Sequence, residues 1–168
     1  MTRTLAAPVT RRALGVGAAL AVGLALPLLV HLIPASGGPP MGARLLPIFL
    51  AAVVVAMRLD AVSVLSIAVA TPLLNRMVTG MPAGPMLPTV LIELTAVVLV
   101  VLAVRRLAPA ALRFVAAPAY LVGAVLAGLL VAGTGPGATL SFAVQVSWPG
   151  LLLLAAAGAL AAPRRGRP

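Results

Sequence analysis

The stretch TPLLNRMVTGMPAGPMLPTVLIE, residues 71–93, breaks an otherwise continuous apolar sequence. Asn75, Arg76, Thr79 and Gly80 come first, three prolines follow (Pro82, Pro85 and Pro88), and a carboxylate, Glu93, stands inside the next apolar run. Polar groups at the edge of a bilayer are expensive, and they persist there when they bind something or pair with one another. The cluster reads as the mouth of a small-molecule site. The runs on either side read as its walls.

Composition sets the class. Hydrophobic residues make up 62% of the 168 positions and charged residues only 8%, too little charge to cover a water-soluble domain. The chain is an integral membrane protein on this reading. It has no cysteine, which excludes disulfides and thiolate metal sites. All twelve basic residues are arginine, and the only acids are Asp60 and Glu93. A net charge of +10 does not point to nucleic acid, because the arginines are spread between apolar runs with no basic face interleaved with aromatics. Heavy use of Ala, Gly, Pro and Arg suggests a GC-rich bacterial genome.

A transmembrane helix needs about 20 apolar residues. Six spans follow: Ala13–Ile33, Leu45–Met57 with Met41–Arg44 completing it, Ala61–Val78, Met86–Val104, Leu112–Ala132 and Leu140–Ala161. A Pro- and Gly-rich turn at 34–40 ends the first, and a polar turn at 134–139 precedes the sixth, which Trp148, Pro149 and Gly150 are expected to interrupt. The fold class is therefore all-α, an integral membrane bundle of six transmembrane helices. A basic N-terminus (1–12) and a basic tail (163–168) flank one domain at 13–162.

Arginines near span ends give the orientation. Ten lie on one side: Arg3, Arg11 and Arg12, then Arg58, then Arg105, Arg106 and Arg113, then Arg164, Arg165 and Arg167. Arg44 and Arg76 alone lie on the other. The positive-inside rule then makes both termini cytoplasmic, in a multi-pass protein of the bacterial cytoplasmic membrane. Thr10-Arg11-Arg12 before an apolar run also resembles a twin-arginine export signal. That run is long for a signal peptide and five spans with consistent charge bias follow, which favours a retained first helix.

Most catalytic arrangements cannot be built. His31 ends the first span on the external side and Asp60 lies in a cytoplasmic turn, so a Ser/His/Asp relay would have to cross about 30 Å of hydrocarbon. His31 and Glu93 alone make a poor metal set, and without lysine there is no phosphate-binding loop. No enzyme, cofactor or metal is expected, and no nucleotide-driven pump in this chain alone. The remaining polar groups gather externally: His31, Arg44, Asn75, Arg76, Thr79, Glu93 two turns into the fourth span, and Gln145, Ser147 and Trp148 in the outer half of the sixth. Converging polar groups in an apolar pocket suit a small polar organic ligand.

Each residue has a plainer role beside this one. Glu93 pairs with Arg76 or Arg44 to make its burial tolerable. His31 is an interfacial histidine, Arg44 snorkels to headgroups, and Trp148 anchors at the interface. Asn75 resists such a reading, since an amide in an apolar helix must find partners. Two external arginines suit an anionic or zwitterionic ligand, whereas Glu93 suits an amine, and the substrate stays open between them. The first helix also carries small residues at four-residue spacing, Ala13, Gly17, Ala21 and Ala25, with Gly15, Ala19 and Gly23 beside them, a pattern that lets helices approach closely. In a chain this rich in alanine, chance gives such stripes too.

The runs LALPLLVHLI, LPIFLAA, TPLLNRMVTGMPAGPMLPTVLIEL and QVSWPGLLLL together resemble the substrate-binding S component of energy-coupling factor (ECF) transporters, the vitamin-uptake systems of bacteria and archaea. The pattern is densest at Pro72-Leu73-Leu74, Thr79-Gly80-Met81-Pro82, Pro88 and Glu93, with His31 and Pro47, and Gln145 with Pro149-Gly150, at matching places. The resemblance covers roughly 13–160 and is thin in the fifth span. It implies a six-helix protein that captures a vitamin or related micronutrient from outside. Such a protein then works with a membrane coupling subunit and two cytoplasmic ATPases, toppling in the bilayer to release substrate. By the same resemblance Ala13, Gly17 and Ala21 form the docking face for the coupling subunit, although Gly17 departs from the family's alanine pattern. Arg58-Leu59-Asp60 stands where many relatives have Gly-Pro. Two other readings compete: a membrane scaffold whose polar cluster only ties helices together, and a stand-alone secondary transporter, which predicts inverted repeats that the sequence lacks.

Overall fold

The computed structural model describes residues 6–33 and 39–163, the first six of them by their backbone alone. Arg3, the 34–38 part of the Pro- and Gly-rich turn and the tail arginines Arg164, Arg165 and Arg167 lie outside the described residues. The described chain is all-α: α1 Ala6–His31, α2 Met41–Leu45, α3 Pro47–Ala56, α4 Ala61–Thr79, α5 Leu87–Leu107, α6 Ala116–Ala127 and α7 Pro136–Ala161. Short 3-10 turns at Gly84–Met86 and Pro109–Phe114 lead into α5 and α6. Four segments are long and apolar enough to cross a membrane: Arg12–His31, Ala61–Thr79, Gly84–Leu107 and Pro136–Ala161. Met41–Ala56 and Ala116–Ala132 are shorter apolar helical segments.

Several boundaries differ from expectation, each for a local reason. The second run is cut by Leu46, whose φ of 52° is left-handed, and Pro47 then opens α3 at the first-turn position where its missing N–H is no loss. A bulky residue holds this conformation only when packing fixes it, and Leu46 is buried. The fifth run becomes regular helix only at Ala116, and beyond Ala127 it widens into a π turn over Gly128–Ala132. The sixth helix starts earlier than expected, at Pro136, and passes through Trp148, Pro149 and Gly150 without a break. Gly80, with φ 75°, closes α4 as a left-handed C-cap.

Hydrogen bonds place the ends of the helices. Arg12 bonds Asp60 (Nη2 to Oδ1, 2.8 Å) and Ser63 (Nε to Oγ, 3.0 Å), tying the start of α1 to the start of α4. Arg58 donates to the Ala161 carbonyl at 2.9 Å, and Arg105 donates to the carbonyls of Ala56 and Leu59 at 2.7 and 2.6 Å. Arginines here satisfy carbonyls that helix ends leave without partners. Arg12, Arg58, Asp60, Arg105 and Ala161 thus share one end of the bundle. Asp60 also caps α4 by accepting from the Ser63 N–H. That bond, the Ser63 hydroxyl and the nearby Arg12 hold its carboxyl below the usual carboxylate range. The Arg58-Leu59-Asp60 turn is fully engaged in these contacts.

The core runs through the middle of the bundle, where Val53, Val64, Leu94, Val97, Val101 and Leu154 have no exposure worth counting. α5 and α6 lie close together at Gly123: a Cβ there would stand 2.7 Å from the carbonyl oxygen of Glu93, nearer than such atoms approach. Large apolar side chains such as Leu14, Leu29, Phe114 and Leu160 face outward. Outward apolar side chains on helices this hydrophobic suit lipid, not water.

Candidate ligand-binding site

At the end opposite Arg12 and Asp60 lies a cavity of about 320 Å³, at the small end of the range typical of small-molecule sites. All seven helices contribute to its wall, and Met81, Pro82 and Met86, on the connection from α4 to α5, close over part of it. The lining is mainly apolar, with Phe49 and Tyr120 packed edge to face (centroids 5.1 Å apart, 77° between planes).

Four of the nine polar residues expected to converge line this cavity: His31, Asn75, Glu93 and Ser147. Asn75 is the most constrained. Pro27 has no N–H, so it cannot make the helical bond to the Gly23 carbonyl four residues earlier. The Asn75 Nδ2 fills that place at 3.1 Å and donates also to the Thr71 carbonyl at 3.1 Å. Both partners are carbonyls, which only accept, so the amide orientation is determined. Its Oδ1 is buried and has no hydrogen-bond partner among the described residues. Such an orphaned acceptor is costly. His31, at the mouth, is exposed and packs over Gly42, and its Nδ1 lies 2.6 Å from the Pro27 carbonyl. The carbonyl can only accept, so Nδ1 carries the hydrogen and a neutral ring presents Nε2 as an acceptor.

Glu93 is unpaired among the described residues. The expected pairing with Arg76 or Arg44 does not form; the ion pair among the described residues is Arg12–Asp60, at the opposite end of the bundle. The Arg76 side chain instead reaches Gly84 in the turn before α5, where a Cβ would lie 3.3 Å from its guanidinium nitrogens. Neither Arg44 nor Arg76 lines the cavity. Thr79 closes the end of α4, its hydroxyl donating to the Asn75 carbonyl at 2.7 Å and accepting from the Met81 N–H at 3.1 Å. Gln145 and Trp148 are exposed on the outer surface of α7.

Ser147, one of the polar groups expected at this end, lines the cavity too, together with Tyr120, Thr89 and Thr139, which were not among the expected site residues. Tyr120 and Ser147 form a relay: the Ser147 hydroxyl donates to the Ala43 carbonyl at 2.8 Å, which leaves Tyr120 as donor across the 3.3 Å contact to Ser147 Oγ. The single tyrosine in the chain, within an apolar helix, was the signal available for this pair.

On α1 the two small-residue stripes separate. Ala19 and Gly23 are buried against the bundle, with Gly15 beside them half-buried, whereas Ala13, Gly17 and Ala21 face outward, and a Cβ on Gly17 would meet nothing within 4 Å. Comparison with protein-family models, with curated proteins and with solved structures finds no match.

Proposed function

We propose that this chain is the substrate-capture subunit of an ECF-type importer in a bacterial cytoplasmic membrane. In this reading the bundle crosses the bilayer six times, both termini are cytoplasmic, and the cavity opens outward to receive a vitamin-sized micronutrient. The observation that carries it is the cavity itself: an apolar chamber of about 320 Å³ lined by Asn75, whose buried Oδ1 has no partner among the described residues, and by Glu93, which forms no ion pair among them. Buried polar groups left open in this way favour a ligand that completes them. The arginine-rich end, remote from the cavity, faces the cytoplasm, and the outward Ala13–Gly17–Ala21 face is where a membrane coupling subunit docks. Two cytoplasmic ATPases supply the energy. The ECF assignment itself rests on the sequence resemblance.

Co-expression with the coupling subunit and ATPases of the same genome tests this. The tagged chain is expected to bring all three through detergent purification, and Gly17→Leu to lose them while the chain still folds. A chain that purifies alone in every detergent contradicts the assignment. The scaffold reading has one observation in its favour, the Asn75 amide bond to the Gly23 carbonyl that ties α1 to α4. It predicts that Glu93 variants alter folding and that no small molecule is held.

A further inference from the structure

The polar side chains of the cavity are unequal in kind. Each hydrogen that could be offered to a ligand is already committed, with one exception. The Asn75 amide hydrogens go to Gly23 and Thr71, the Tyr120 hydroxyl to Ser147, the Ser147 hydroxyl to Ala43 and the Thr139 hydroxyl to Gly135. The His31 Nδ1 hydrogen goes to Pro27. Among the side chains of the described residues lining the cavity, only the Thr89 hydroxyl keeps an uncommitted donor. What remains for a ligand is a set of acceptors: Asn75 Oδ1, orphaned on a residue only 3% exposed, and the two oxygens of Glu93. No arginine lines the cavity.

We infer that the site selects an organic cation, a compact apolar body bearing an ammonium or amidinium group whose N–H donors meet Asn75 Oδ1 and the Glu93 carboxylate. This rests on the reading of the cavity as a ligand site, and it narrows the substrate to one charge class. A carboxylate or phosphate would face Glu93 with one neutral hydroxyl donor to hold it, whereas a cation satisfies both open acceptors and supplies the counter-charge that the described chain withholds. The geometry therefore reverses the preference that the two external arginines suggest.

The test uses three probes of one shape in the full-length protein in detergent: 3-phenylpropylammonium, 3-phenylpropan-1-ol and 3-phenylpropanoate at millimolar concentration, read by thermal shift and by calorimetry. The ammonium compound is expected to stabilise the protein most and the carboxylate not at all. Glu93→Gln, which keeps the shape of the side chain, is expected to lower affinity for the ammonium by at least about ten-fold, as for loss of a charge-assisted hydrogen bond, and to leave the alcohol unaffected. Preference for the alcohol or the carboxylate in the unmodified protein overturns the charge assignment while leaving a binding cavity. No stabilisation by any of the three overturns both. Because the ranking is measured without any substitution, a variant that fails to fold does not remove the test.

Discussion

Asn75 donates through Nδ2 to the carbonyl oxygen of Gly23 at 3.1 Å, occupying the acceptor that Pro27 leaves free one turn along α1. A proline in one helix and an amide in another thus form a single device. It locks α1 to α4, fixes the amide, and leaves Oδ1 without a partner on a residue that lines the cavity.

Removing the amide therefore has two effects. Interhelical hydrogen bonds in membranes average about 0.6 kcal/mol each, and Asn75 makes one, to Gly23, so Asn75→Leu is expected to cost roughly that much and to abolish ligand binding. Pro27→Ala restores the helical N–H to Gly23, and Asn75→Leu should then cost measurably less. A double-mutant cycle followed by thermal unfolding in detergent checks this. Additive effects would mean that Pro27 and Asn75 are not coupled.

Gly123 sets the position of Glu93. A methyl group there would stand 2.7 Å from the Glu93 carbonyl oxygen, with backbone on the opposing side. Gly123→Ala is expected to cost about 1–3 kcal/mol, as overpacking does, and to weaken ligand binding by moving Glu93. Thermal unfolding and ligand titration measure the two effects separately.

Arg44 and Arg76 lie outside the cavity lining. The double variant Arg44→Gln, Arg76→Gln is expected to leave ligand affinity unchanged within about two-fold. A larger loss, measured by titration at constant ionic strength, would place an arginine in the site.

At the other end, Asp60 gives a pH dependence of definite sign. The Ser63 N–H bond, then the Ser63 hydroxyl and Arg12, hold its folded-state carboxyl below the ordinary value of 3.8. A lowered carboxylate contributes stability that is fully present above its unfolded value and is lost as pH falls through the folded one. From this group, thermal stability stays level across neutral pH and declines only below about pH 4. Asp60→Asn, which keeps a capping oxygen, should remove that acid decline, while Asp60→Ala also loses the cap and melts lower at every pH.

The apolar helices were legible because hydropathy reports on them directly, four of them long enough to cross a membrane. Arg12, Arg58 and Arg105, grouped together by the arginine count, meet at one end of the bundle and bond helix ends there. The break at Leu46 was not legible, since a left-handed φ on a buried leucine is imposed by tertiary packing and not by local preference. Nor was the continuity of α7 through Pro149, which membrane helices tolerate when neighbours satisfy the freed backbone. For the cavity, counting along the runs brought polar residues to its end of the bundle but did not say which of them face it. Gln145 and Ser147 are two residues apart, roughly 200° around a helix; Gln145 is exposed and Ser147 buried in the wall. Depth follows from counting, whereas the facing direction follows from packing.

The central claim is capture of a small molecule by the Asn75–Glu93 cavity, and mass spectrometry of the compounds released from detergent-purified protein tests it most directly. The account predicts a stoichiometric basic organic compound that is absent from a folded Glu93→Gln variant. A preparation that releases nothing, and that no vitamin stabilises against heat, would contradict it and leave a membrane scaffold.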